Sequence, residues 1–124
     1  MSTTEETKAV LHRWYDEMWG QGNWQLVTEL AGPVYTRHET GGTNDITAED
    51  YQQIVKGFCE GATFTDLAYR LIAEGDRVCA VGQWKVNGEQ WDWVQQFRVE
   101  NHRLVETWLS GIATASNWSA AVVS

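Results

Sequence analysis

The sequence is short of proline, of cysteine and of positive charge, and each shortage removes a class of protein. One proline in 124 residues and a hydrophobic content of 43% argue for a folded globule rather than a disordered tail. Cys59 and Cys79 are the two cysteines. They make neither a disulfide framework nor a metal-ligand pattern, so both read as buried or half-buried thiols. Nine basic residues stand against seventeen acidic ones, a net charge of −8, and the basic residues are scattered. Nucleic acid and anionic membranes are therefore excluded as partners, because binding phosphate requires clustered Lys and Arg. No apolar run approaches the roughly 20 residues a membrane span requires. The opening "MSTTEETKAV" is polar and acidic, unlike a signal or transit peptide, so a cytoplasmic location is expected.

What the chain has in surplus is tryptophan, eight in all. Indoles bring wide apolar faces and one N–H that needs a partner when buried. They suit a thick core, an interface or a pocket for a flat apolar ligand.

With no linker, repeat or low-complexity block, a single domain over 1–124 is expected, with a core at about 5–113 and a tail at 114–124. Thr3 with Glu6 forms a capping box. Val10, Leu11, Trp14, Tyr15, Met18 and Trp19 then recur at helical spacing. "GQGN" ends that helix, with Gly20 or Gly22 as its C-cap. "WQLVTELA" is a short second helix stopped by Gly32 and Pro33. "VYTRHE" is extended, "TGGTND" is a loop, and Thr47 caps a third helix with Asp50 in its first turn. From Phe64 the rhythm changes to period two, predicting strands near 64–74, 76–86, 89–100 and 102–113. Asn87-Gly88 marks the sharpest turn, because a type I′ hairpin needs positive φ twice. Helices followed by an antiparallel meander make an α+β domain with the helices on one sheet face.

Alternation sorts the strand faces. Glu89, Trp91, Trp93, Gln95 and Phe97 share the side turned to the helices, opposite Gln90, Asp92, Val94, Gln96 and Arg98. Leu67, Tyr69 and Leu71 turn inward, and Val78, Ala80 and Trp84 form the more apolar set of their strand. On the last strand Glu106, Trp108 and Ser110 lie opposite Val105, Thr107 and Leu109, and both sets are partly apolar. Aromatic walls with a few polar groups among them are what a small-molecule pocket requires, although any one of these indoles is also good core filler.

The order of elements, together with "YTRHE" and "FRVENHRLVETW", resembles the nuclear transport factor 2-like superfamily, and within it the SnoaL-like polyketide cyclase and ketosteroid isomerase branch. The resemblance covers about residues 5 to 113. It implies a cone in which a curved antiparallel sheet wraps the long first helix and two short ones around a pocket, and it implies a homodimer. It assigns Tyr15 as a donor to a developing oxyanion and His38 or Glu39 as the proton shuttle. Where the branch often has a carboxylate this chain has Gln95, and Leu109-Ser110-Gly111 replace a further acidic residue.

The expected catalytic set is accordingly His38, Tyr15, Gln95 and Glu39. Trp14, Tyr69, Trp84, Trp91, Trp93, Phe97, Glu106 and Trp108 are expected as substrate contacts. The competing reading of Glu106 is an ion pair with Arg103 or another basic neighbour. His12 and His102 are read as solvent-facing, and no two histidines fall at metal-ligand spacing. These residues suit a cofactor-independent cyclase, isomerase or lyase acting on a small, largely apolar oxygenated metabolite, polyketide- or terpenoid-like. The alternative is a binding or dimerisation module of the same fold.

Overall fold

The structure is a computed structural model and describes residues 3–115 and 118. Most of the tail, and the side chains of Ser110 and Gly111, lie outside the described residues.

Helix α1 spans Thr4–His12 and opens on the predicted capping box: Thr3 Oγ1 accepts from the Glu6 amide while Glu6 accepts from the Thr3 amide. The helix continues as a π-helical stretch, Arg13–Trp19, closed by bonds reaching five residues back, from the Gly20 amide to the Tyr15 carbonyl and from the Asn23 amide to the Met18 carbonyl. Widening the turn lets Trp14, Tyr15 and Met18 all be buried. A 3₁₀ turn, Trp24–Leu26, leads into α2, Val27–Leu30. The longest helix, α3, spans Ala48–Gly61 and is capped by Thr47 on the Asp50 amide.

Six strands follow the order β2-β1-β6-β5-β4-β3. They are β1 Ala31–Glu39, β2 Gly42–Thr47, β3 Phe64–Glu74, β4 Arg77–Val86, β5 Glu89–Glu100 and β6 Arg103–Thr114. Neighbours are antiparallel except β1 and β6, which run parallel. The four later strands fall where the alternation predicts. Positive φ at Asn87 and Gly88, and again at Asn101 and His102, gives the two sharp hairpin turns.

One expectation is overturned here. "TGGTND" is not all loop: Gly42–Thr47 is the edge strand β2, paired with β1 from Glu39↔Gly42 to Val34↔Thr47. Its Gly, Asn and Asp have poor strand propensity. The cross-strand bonds from Thr36 Oγ1 to Asp45 and between His38 and Thr43 hold it.

The core lies between the helices and one sheet face. Leu11, Trp14, Tyr15 and Met18 from the first helix meet Val78, Ala80, Trp93, Phe97 and Val99 from the sheet, with Tyr51 and Val55 of α3 closing the β1 side. Gly82 is placed by packing: a Cβ there would lie 2.2 Å from Trp93 Cζ2, so the indole lies flat against bare backbone. At the helix start, Thr7 is fully buried and donates to the Gly75 carbonyl in the β3–β4 turn. Cys59 and Cys79 are free and half-buried.

Candidate functional site

Strand β1 positions the site. Its alternation sends Tyr35, Arg37 and Glu39 to the helix-covered face and Thr36 and His38 to the other. Tyr35 has no exposed surface and meets Trp14 and Tyr51 edge-on, at 6.3 and 5.2 Å between ring centroids. Trp14 and Tyr51 lie nearly parallel, 10° apart. The Arg37 guanidinium sits over the Tyr51 ring at 4.7 Å and the Tyr35 ring at 5.4 Å, and its Nε donates to Glu39 at 2.8 Å.

Two groups in this nest lack partners among the described residues: Tyr35 Oη and Arg37 Nη1 are buried without a hydrogen bond. Thr107, also fully buried, is near Tyr35; its hydroxyl donates to the Gln96 carbonyl and accepts from the Gln95 amide, and it makes no hydrogen bond of good geometry with Tyr35 Oη. Burial pushes the Tyr35 phenol well up, an effect that neighbouring Tyr51 adds to and Arg37 opposes. Burial works against the Arg37 charge, yet Tyr51, Tyr35 and Glu39 outweigh it and the guanidinium stays protonated. The nest therefore presents two buried donors with no acceptor. A buried polar group without a partner costs roughly 1–3 kcal/mol.

The other predicted residues fall into two groups. On the helix-covered face, Tyr15 is buried, and its hydroxyl accepts from Trp93 Nε1 at 3.4 Å. It packs on Tyr69, Trp93 and Phe97, and burial pushes its phenol up. Trp84 joins Trp19, Phe64 and Trp93. Trp91 shares this face through its register with Trp84, half-buried beyond the packed cluster. The hydroxyl of Tyr69 donates to Asp16 and meets His12 Nδ1, so His12, read as merely solvent-facing, also ties the first helix to β3. Glu39 stands at the exposed end of β1.

His38, Glu106 and Trp108 are on the opposite face, and this corrects their expected place in the pocket. His38 Nε2 lies 2.7 Å from Glu106, whose carboxylate only accepts, so Nε2 carries the proton. The His38 ring stacks on Trp108 at 5.2 Å, and Arg77 covers Trp108 at 5.0 Å. Arg98 completes the group by donating to Glu106 and Glu100. Glu106 thus pairs with Arg98 rather than Arg103, and its carboxyl is held low, chiefly by His38, with Arg98 adding to this. The physical reason is the pleat: Thr107 is the inward residue of β6, so its neighbours 106 and 108 must point outward. A Tyr15–His38 dyad is consequently not formed.

Tyr35, Arg37 and Tyr51 are the residues of the nest that sequence reasoning missed. Period-two counting from Tyr35 along "YTRHE" would have placed Arg37 inward and His38 outward. Among the described residues no group of three or more His, Cys, Asp or Glu could hold a metal, and no helix is long and apolar enough to cross a membrane. An open depression of about 410 Å³ between Gly32, Pro33, Glu100, Asn101, Arg103 and Val105 has no aromatic wall.

Neither a family model nor a curated protein sequence matches the chain. Solved structures do. A candidate ketosteroid isomerase from Kribbella flavida superposes with a TM-score of 0.74 at 18% identity, over 95% of this chain and 84% of that one. A candidate polyketide cyclase from Acidithiobacillus ferrooxidans gives 0.69 at 22% identity, over 88% and 89%. A nuclear transport factor 2-like protein of unknown function from Mesorhizobium loti gives 0.71 at 19%, over 89% and 93%. With helices packed on one face of an unclosed, mostly antiparallel sheet, the chain has the nuclear transport factor 2-like fold, shared with these isomerase-like and cyclase-like proteins.

Proposed function

We propose that the nest of Tyr35, Arg37, Tyr51 and Trp14 binds a small, largely apolar oxygenated metabolite and that the chain turns it over by cofactor-independent isomerase- or cyclase-type chemistry. The observation that carries the reading is the pair of acceptor-less donors, Tyr35 Oη and Arg37 Nη1, among aromatic rings. A ligand oxygen placed there receives both hydrogen bonds in surroundings where they are stronger than in water. Glu39, held on Arg37 Nε, is the carboxylate available to move a proton at the rim. The aromatic walls order a flexible apolar chain by shape. The names of the isomerase and cyclase neighbours lend support.

Binding without turnover is the second reading. One observation favours it: His38, the residue best suited to acid–base work near neutral pH, is bonded to Glu106 on the far face. Deuterium exchange separates the two. Benzylacetone in D₂O should incorporate deuterium beside its carbonyl faster with the protein than without it. Glu39→Gln should lower that rate about 10²-fold while tryptophan fluorescence still reports binding. Binding with no catalysed exchange would leave only the second reading, and absence of binding would remove both.

A further inference from the structure

We infer that the nest on β1 recognises a carboxylate, so that the ligand is a small apolar acid rather than a neutral ketone or alcohol. The inference rests on the nest being a small-molecule site and names the group that it reads.

The valences of Arg37 decide the matter. Both faces of a guanidinium can stack on aromatic rings, and its edges donate in a fixed fork. Here the Tyr51 and Tyr35 rings take the cation through their π faces at 4.7 and 5.4 Å, and Glu39 takes the Nε edge. The inward arm, Nη1, is left buried without a partner. Tyr35, two residues earlier and so on the same face of the strand, brings a buried hydroxyl as the second group without a partner. The complement must accept from Arg37 Nη1, and one that also accepts from Tyr35 Oη meets both groups at once. A neutral alcohol or amide would add a donor to a site already rich in donors. A carboxylate has two oxygens that only accept, one for Arg37 Nη1 and one for Tyr35 Oη.

Charge points the same way. Glu39 balances Arg37 from the rim, where its side chain is 38% exposed, whereas the Arg37 side chain is 13% exposed. Water therefore screens the carboxylate more than the cation, and the inner end of the pair retains a positive field. Gln95 and Thr107, two further polar groups on this face, are bonded to one another and impose no competing demand. The carboxylate becomes a handle, and the rest of the ligand lies against Trp14 and Tyr51.

Matched probes test this: hydrocinnamate against benzylacetone, octanoate against methyl heptyl ketone, and benzoate against acetophenone, each titrated by tryptophan fluorescence at neutral pH. In each pair that binds, the acid should bind at least about tenfold tighter than its ketone. Arg37→Met should erase the preference, and Tyr35→Phe, which keeps the ring, should weaken the acid by about tenfold. Ketones that bind as tightly as their acids would overturn the carboxylate assignment and leave the metabolite site standing. If neither acids nor ketones bind, both readings fall, and ketones that bind where no acid does overturn the carboxylate assignment alone. The wild-type ratio decides even where a variant fails to fold.

Discussion

At the scale of single residues, the informative side chains are those whose hydrogen-bonding needs are unmet. Tyr35 is fully buried, and its hydroxyl makes no bond among the described residues. Folding therefore strips it of water without return. Tyr35→Phe should remove that cost while the ring contacts with Trp14 and Tyr51 remain. Urea unfolding of the ligand-free protein should show a gain of about 1 kcal/mol. A loss of similar size would mean that the hydroxyl is satisfied in the folded chain. Gly82 shows the opposite case, a residue kept small by its neighbour. Gly82→Ala would drive a methyl into the Trp93 indole and should cost about 2 kcal/mol in the same experiment. An unchanged midpoint would show that the indole can move aside.

At the scale of elements, the parallel seam between β1 and β6 joins the β1–β2 edge to the meander. Its outer face is locked by His38, Glu106 and Arg98. The Glu106 carboxyl is held below the ordinary carboxylate range, first by the His38 bond. Its contribution is thus fully present above the value in the unfolded chain, about 4.3, and is lost as pH falls through the lower folded value. Glu106→Gln should destabilise the protein by about 1 kcal/mol at neutral pH, and the two unfolding curves should converge once the pH has fallen through the lowered folded value. Curves that stay parallel would show that the carboxylate charge contributes nothing. This seam also marks where the sequence stops being legible. On β5 the period-two reading turns Trp93 and Phe97 inward, and both are buried. Strand β6 is apolar on both faces and carries two register shifts against β5, so its alternation did not say which set was buried. Strand β2 hides because strand pairing, not propensity, makes "GTNDIT" extended. His38 faces outward because the pleat of its own strand, with Tyr35 buried inward, overrides the position that the resemblance implies.

At the scale of the whole molecule, the elements other than β2 and their order were legible because they follow from periodicity and turns, while the site was not, because it depends on which groups end up without partners. The global charge and the local site also oppose each other. The chain carries −8, so an approaching anion meets a repulsive field before it reaches Arg37. That field extends about 30 Å at 0.01 M salt and about 8 Å at 0.15 M, whereas a contact inside the nest is shielded from salt by burial. Hydrocinnamate should therefore associate about twofold faster when salt is raised between those limits, with its dissociation rate nearly unchanged. Benzylacetone, being uncharged, should show neither effect. Stopped-flow tryptophan fluorescence measures both rates. An acid whose dissociation accelerates with salt would place its carboxylate on the exposed surface, beyond the rings of Tyr35 and Tyr51.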